Sequence, residues 1–242
     1  KINHDGYVSY LPTLMDFPLQ ISFTEALLDD FNWGKGFIKP YKVLASDFLY
    51  PNPNNLLIFP DNHDMARFYT QVKNDIDLFK MGIVYYSTMR GIPQFYYGTE
   101  ILMNSDENPG DHGLIRTDFP GGWIGDKINA FNGDGLSIKQ LETQKFFKQI
   151  LNWRKNNNII HNGKLIQFAP KDGIYSFFRI LENKMVWVIF NRNNSSKTLA
   201  TSRFDELIEN HKSAFDVLNK KKISISEKLI IKAKSALILE IE

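Results

Sequence analysis

The strongest constraint on the fold is a change of pattern at Asn156-Asn157-Asn158. Before it, short apolar runs alternate with stretches of helical spacing. After it, short runs rich in β-branched and aromatic residues succeed one another, separated by turns such as Lys171-Asp172-Gly173 and Glu182-Asn183. Alternating strand and helix build a parallel sheet or part of a barrel. Regular short strands with turn signals build an antiparallel module. The boundary falls near residue 160, giving two units, 1–159 and 160–242.

In the first unit, strands are expected within the apolar run 14–19, ending near Asp16, and at 56–59 and 95–97. Helices are expected at 21–31, 41–50, 75–89 and 141–155. Pro18 excludes a central ladder position, and Ser22 or Thr24 is placed to cap the first helix. Residues 1–12 and 51–55 read as loop and turn. Residues 104–135 form a long Gly- and Asp-rich loop, which in a compact domain is usually functional. Three strands are too few to close a (β/α)8 barrel, which needs eight. In the second unit the β runs are 164–168, 174–181, 184–191, 197–202, 214–218 and 235–241. The helix at 141–155, with Phe146, Phe147, Ile150, Leu151 and Trp153 on one face, is expected to carry the packing between the units.

Residues 56–67 (LLIFPDNHDMAR) organise the first unit. Four apolar residues, a pattern typical of a strand buried on both faces, lead into Asp61, Asn62, His63 and Asp64. In parallel α/β sheets chemistry gathers at the C-terminal strand ends. Taken alone, the segment reads equally as a strand-to-helix loop with an Asn or Asp cap. Asp16 and Glu100 also fall near expected strand ends. Three such carboxylates suit acid/base work on a polar substrate, and retaining glycoside cleavage requires a pair about 5–5.5 Å apart. Asp16 and Glu100 have structural alternatives, as a backbone-bonded carboxylate and an ion-pair or helix-end charge.

Bulk properties narrow the field. Twenty-nine basic residues against 27 acidic leave a charge of +2, which gives no electrostatic case for nucleic acid or an anionic membrane. An aromatic share of 14% without a positive field suits a neutral ligand. Cysteine is absent, so there is no disulfide, thiolate metal site or Cys nucleophile. No stretch approaches 18 apolar residues, so no membrane span is expected. His4, His63, His112, His161 and His211 show no i, i+4 spacing for a helical zinc site. Asp106, Asp111, Asp118, Asp126 and Asp134 lack the EF-hand pattern and read as a solvated loop. Walker A, GxGxxG and GxSxG motifs are missing. No metal or cofactor is expected.

Four segments carry a resemblance. Phe59-Pro60-Asp61-Asn62-His63-Asp64 resembles the fourth signature region of the α-amylase family of glycoside hydrolases. Gly91-Ile92-Pro93-Gln94-Phe95-Tyr96-Tyr97-Gly98-Thr99-Glu100 resembles its eighth-strand motif. Met15-Asp16-Phe17-Pro18-Leu19 is similar to the sixth-strand region of its neopullulanase and cyclomaltodextrinase members. Ile115-Arg116-Thr117-Asp118-Phe119-Pro120-Gly121-Gly122-Trp123 points to the same subgroup.

The resemblance implies a fold: the C-terminal part, about strands six to eight, of a (β/α)8 barrel, followed by an all-β antiparallel sandwich domain. It implies roles as well. Asp64 matches the third catalytic carboxylate, which stabilises the oxocarbenium-like transition state. His63 matches the histidine that hydrogen-bonds the sugar at the cleavage point. Asn62 and Arg67 join His63 as substrate-binding residues. The family's nucleophile Asp and acid Glu have no match here and would precede Lys1, consistent with the lack of an initiator Met. The expectation is a C-terminal piece of a retaining enzyme cleaving α-1,4-glucosidic bonds in α-glucans or cyclomaltodextrins, inactive alone. Its partners would be an α-glucan or maltooligosaccharide and either a second copy or the N-terminal part of the same protein; the compartment stays open, a periplasmic or extracellular one included. Two rivals stand beside it. One is a carbohydrate-binding β module with Trp187 and Tyr175 as stacking platforms. The other is a self-sufficient hydrolase using Asp16, Asp64 and Glu100.

Overall fold

The computed structural model describes residues 11–29 and 33–241; the loop expected over 1–10 and the first helix's expected end at Phe31 lie outside them. Helix α1 (Phe17–Leu28) starts before the expected Ile21. Asp16 rather than Ser22 or Thr24 caps it, accepting from the Leu19 N–H at 3.1 Å. Pro18 sits in the first turn, where a missing N–H costs nothing. The strand expected around residue 14 shrinks to one parallel bridge between Met15 and Leu57. Helix α2 (Ile38–Ala45) ends earlier than expected and passes into a 3-10 turn at Asp47–Leu49.

Strand β1 (Leu57–Ile58) leads to the short helix α3 (Phe68–Gln71) and then to α4 (Ile76–Thr88), which Asp75 caps. Strand β2 (Ile92–Pro93) pairs in parallel with β1. Met15, β1 and β2 thus form a three-segment parallel arc. Gly91 makes the approach to β1 possible. Its φ is +107°, and a Cβ there would lie 2.7 Å from the Leu56 carbonyl oxygen. The strand expected at 95–97 does not form. After the Gln94 N–H bonds the Ile58 carbonyl at 2.8 Å, the chain leaves the ladder. Its aromatic side chains go to packing instead: Phe95 meets Phe147 edge-on at 5.3 Å. Helix α5 (His112–Ile115) interrupts the long loop. Helix α6 (Ile138–Lys155) begins with a Ser137/Gln140 capping box, and α7 (Asn158–Asn162) follows.

The remaining chain is β3 (Lys164–Lys171), β4 (Ile174–Leu181), β5 (Lys184–Asn191), β6 (Lys197–Ala200), helix α8 (Asp205–Ile208), β7 (Ser213–Asp216), β8 (Lys221–Ser224), β9 (Lys228–Ile231) and β10 (Ser235–Ile241). A six-stranded antiparallel sheet has the order β3-β4-β5-β10-β7-β8, and β6-β9 forms a separate antiparallel pair. Alternation sorts the large sheet into two buried faces. Tyr175, Phe177, Val186, Val188, Phe190 and Ile238 face the helices. Ile174, Phe178, Trp187, Ile189, Leu239 and Ile241 face Leu199, Leu229, Ile231 and Phe204. Burial on both faces explains why β4 and β5 read as nearly unbroken apolar runs.

The helices and this sheet share one core. Phe23 of α1 stacks on Tyr85 of α4 at 3.6 Å, and both rings meet Phe190 of β5 edge-on. The expected docking chiefly through residues 141–155 is therefore wrong. The α6 face at Phe147 is occupied by Phe79 and Phe95. Helix α6 also meets the β domain through polar groups: Trp153 Nε1 donates to Glu240 at 2.8 Å, and Gln149 Nε2 donates to the Val217 carbonyl at 3.0 Å. Helix α4 does the bridging because every residue from Met81 to Thr88 is buried, whichever side of the helix it occupies.

Two buried arginines close the end of α4. Arg154 donates to the Ser87 carbonyl at 2.8 Å and the Gly91 carbonyl at 3.2 Å. Arg179 donates to the Gly163 carbonyl at 2.8 Å and the Thr88 carbonyl at 3.2 Å. A cation at a helix C-terminus meets the negative end of the backbone dipole. Burial nonetheless lowers the pKa of both guanidinium groups.

Candidate active site

The three parallel segments run in one direction, so the residues after each end at one edge of the arc. Asp16 follows Met15. It is buried and ion-paired to Arg90 at 2.7 Å, and Arg90 also grips Asp47 through two bonds. Asp16 is thus a helix cap and half of a buried pair, not a carboxylate open to substrate.

The loop after β1 is built on Asp61. Its Oδ2 accepts from the Phe68 N–H at 2.7 Å, and the Thr99 hydroxyl lies at 3.3 Å from Oδ1. Complete burial pushes its pKa up to about 6, against the lowering pull of the Phe68 N–H and Arg67. Asp61 starts α3 and ties the loop after β1 to the loop after β2. Asn62 is buried, and its Oδ1 accepts from the Asp64 N–H at 2.8 Å. This Asx turn rotates the next two side chains outward. His63 and Asp64 are consequently open to solvent, with side chains 61% and 60% exposed. His63 Nε2 lies 3.3 Å from Asp64 Oδ2.

Arg67 is placed differently from the substrate-facing position expected. It is fully buried, donates from Nη1 to the Tyr97 carbonyl, and lies 4.2 Å from the Tyr96 ring centroid and 4.9 Å from that of Tyr97. Its Nε and Nη2 have no partner among the described residues. Its main-chain N–H meets Ser105 Oγ at 3.3 Å. Arg67 therefore supports the Tyr96-Tyr97 turn from beneath. Glu100 does not join His63 and Asp64. It lines a cleft with Phe95, Gln144, Phe147, Lys148 and Leu151, and burial raises its pKa.

Sequence reading did not single out Arg116 as a site residue. The long loop folds back so that Arg116 Nη2 reaches Asp64 Oδ1 at 2.8 Å and Nε reaches the His63 carbonyl at 2.9 Å. The only signal was its place in the Ile115–Trp123 motif. Three of the loop's acidic residues are engaged elsewhere. Asp106 accepts from Thr70 and Asn74, Asp111 caps α5, and Asp126 accepts from the Gly121 and Trp123 N–H groups. The platforms named for a binding module are not available: Trp187 and Tyr175 are both fully buried. Trp187 Nε1 donates to Ser176, and the Tyr175 hydroxyl donates to Gln167. No helix among the described residues is long and apolar enough to cross a membrane.

An exposed carboxylate beside an imidazole can take a hydroxyl pair, one partner accepting and the other donating. Residues 165–240 match the cyclo-malto-dextrinase C-terminal domain family. The chain is 26% identical over 195 residues to a cyclomaltodextrin glucanotransferase of Thermoanaerobacterium thermosulfurigenes, covering 81% of this chain and 24% of that protein. It is 24% identical over 184 residues to an α-amylase of Niallia circulans, covering 76% of this chain and 31% of that one. The crystal structure of α-amylase from Geobacillus thermoleovorans complexed with acarbose superposes with a TM-score of 0.74 at 20% identity, covering 95% of this chain and 48% of that chain. The chain spans about a quarter to a third of the length of these two curated relatives. Sequence relatives, C-terminal domain and fold together support an α-amylase family fragment.

Proposed function

We propose that this chain is the C-terminal part of a retaining glycoside hydrolase that cleaves α-1,4-glucosidic bonds in α-glucans or cyclomaltodextrins. In this reading the parallel arc is about strands six to eight of a (β/α)8 barrel, and the parent enzyme is of the neopullulanase and cyclomaltodextrinase kind. The antiparallel domain begins near residue 160. Asp64 is the third carboxylate of the site, and His63 donates to the sugar beside it. The nucleophile and the general acid come from residues outside this sequence, so the chain alone does not cleave glucan.

The observation that carries the reading is the exposed His63–Asp64 pair at the C-terminal edge of the arc, turned outward by Asn62. A carboxylate there can bind sugar hydroxyls more strongly as positive charge develops on the ring, and such differential binding accelerates reaction. The test is cleavage of maltodextrin by the chain alone and by the protein carrying the upstream segment. No new reducing ends are expected from the first. The second should be active and lose nearly all activity on Asp64→Asn. Cleavage by the chain alone, abolished by Asp64→Asn, would instead establish a self-sufficient hydrolase.

A further inference from the structure

We propose that Arg116 is a positioning residue for Asp64, acting through a two-point fork that lysine cannot replace. The proposal rests on the reading of Asp64 as a glucan-contacting carboxylate. The guanidinium spans two acceptors of adjacent residues: Nε donates to the His63 main-chain oxygen at 2.9 Å, and Nη2 donates to Asp64 Oδ1 at 2.8 Å. A planar fork with fixed donor directions fits a carbonyl and a carboxylate side by side; an ammonium offers a compact point charge.

The clamp is supported from behind. Nη2 also lies 2.6 Å from His112 Nδ1. The guanidinium has only donors, so Nδ1 is the acceptor and the His112 proton sits on Nε2. Asp111 caps the short helix that carries His112, and Ile115 buries beneath it. On the other side, the Tyr97 hydroxyl donates to the Thr117 carbonyl at 2.9 Å. Arg116 therefore projects from a segment fixed at both its neighbours.

The consequence falls on the carboxylate. An exposed Asp has a broad, roughly two-fold terminal torsion. With Oδ1 held by Arg116, Oδ2 is left on the His63 side, at 3.3 Å from Nε2. One carboxylate oxygen is fixed and the other is presented to a hydroxyl. A rotated carboxylate can still bind a hydroxyl in the ground state, whereas stabilising charge that develops in the transition state demands alignment. Loss of the fork should therefore lower kcat more than it raises KM.

The test uses the protein carrying the upstream segment, with Arg116→Ala, Arg116→Lys and Asp64→Asn assayed on maltooligosaccharide. Both Arg116 variants should lose about 10–100-fold in kcat with KM within about threefold of the parent. Millimolar guanidinium should restore part of the activity of Arg116→Ala and none of that of Asp64→Asn. Thermal melting establishes folding, and Arg116→Lys, which keeps stem and charge, stands in where Arg116→Ala does not fold. Three results would overturn the proposal: kcat close to the parent in the folded variants, full rescue by lysine, or a rise in KM alone. An inactive Asp64→Asn alongside fully active Arg116 variants refutes the fork and leaves the reading of Asp64 standing. A fully active Asp64→Asn refutes both.

Discussion

The six-stranded sheet and the three-segment arc lie on one core yet are held in opposite ways. Strands of the sheet run up to eight residues, and its central β4 and β5 are covered on both faces. Its edges are guarded: Lys220, Lys221 and Lys222 crowd β8, a known deterrent to edge pairing, and Gln167 of β3 donates to the Tyr41 carbonyl within α2. The arc has two-residue strands and one bridge, and Met15, Phe17 and Ile92 are exposed. Its geometry comes from what leans on it: α4, the carbonyl-gripping arginines and the Arg90 ion pairs. A region held from outside leaves its loop ends free to carry polar chemistry, while a region held by its own burial does not.

The largest test of that difference is truncation of one ring on each side, buried in the sheet and exposed at the arc. Trp187 is fully buried and stacked on Phe178 at 5.1 Å, so Trp187→Ala should cost about 4 kcal/mol in urea unfolding. Phe17→Ala, at the exposed rim of the arc, should cost less than about 1 kcal/mol. Equal losses would erase the distinction. Next in size is Arg179→Ala, which strands the Gly163 and Thr88 carbonyls and should cost about 3 kcal/mol. Hydrogen exchange at the Ile92 and Gln94 amides should accelerate in this variant before the sheet opens; unchanged protection there would show that the arginine does not hold the arc.

The smallest expected effect is electrostatic. Asp61 titrates near 3.8 when unfolded and about 6 when folded, because burial disfavours its charge. Between those values the folded chain binds the extra proton, so stability is greatest below pH 4 and declines as pH rises to 6, by about 2–3 kcal/mol. Asp61→Asn keeps an acceptor for the Phe68 N–H and should flatten that part of the stability profile. A slope that survives the substitution assigns the titration to another group.

Much of this architecture was legible in the sequence. The run at 56–59 gave β1 because burial on both faces leaves an unbroken apolar signature, and the turns at 171–173 and 182–183 gave the β3-β4-β5 meander. The misses share a cause: partners far away in sequence. Phe95, Tyr96 and Tyr97 have strand-like composition, yet they pack on Phe147 and Arg67. Strands β8 and β9 are four residues each, too short for an apolar period to mark them, and β8 opens on two lysines. At the site, Asn62, His63 and Asp64 stood out as a cluster. Arg67 looked polar and available but is sunk beneath the Tyr96-Tyr97 turn, and Arg116 meets Asp64 from 52 positions away. Neither position could be read from local pattern.

The most direct measurement of where this chain meets its ligand is a titration with maltotetraose into the millimolar range, followed by NMR of the backbone and histidine rings. Shifts centred on His63, Asp64, Tyr97 and Arg116, with Trp187 and the β4-β5 amides silent, are the expected result. Saturable shifts confined to residues 164–241 would contradict it and assign glucan binding to the antiparallel domain.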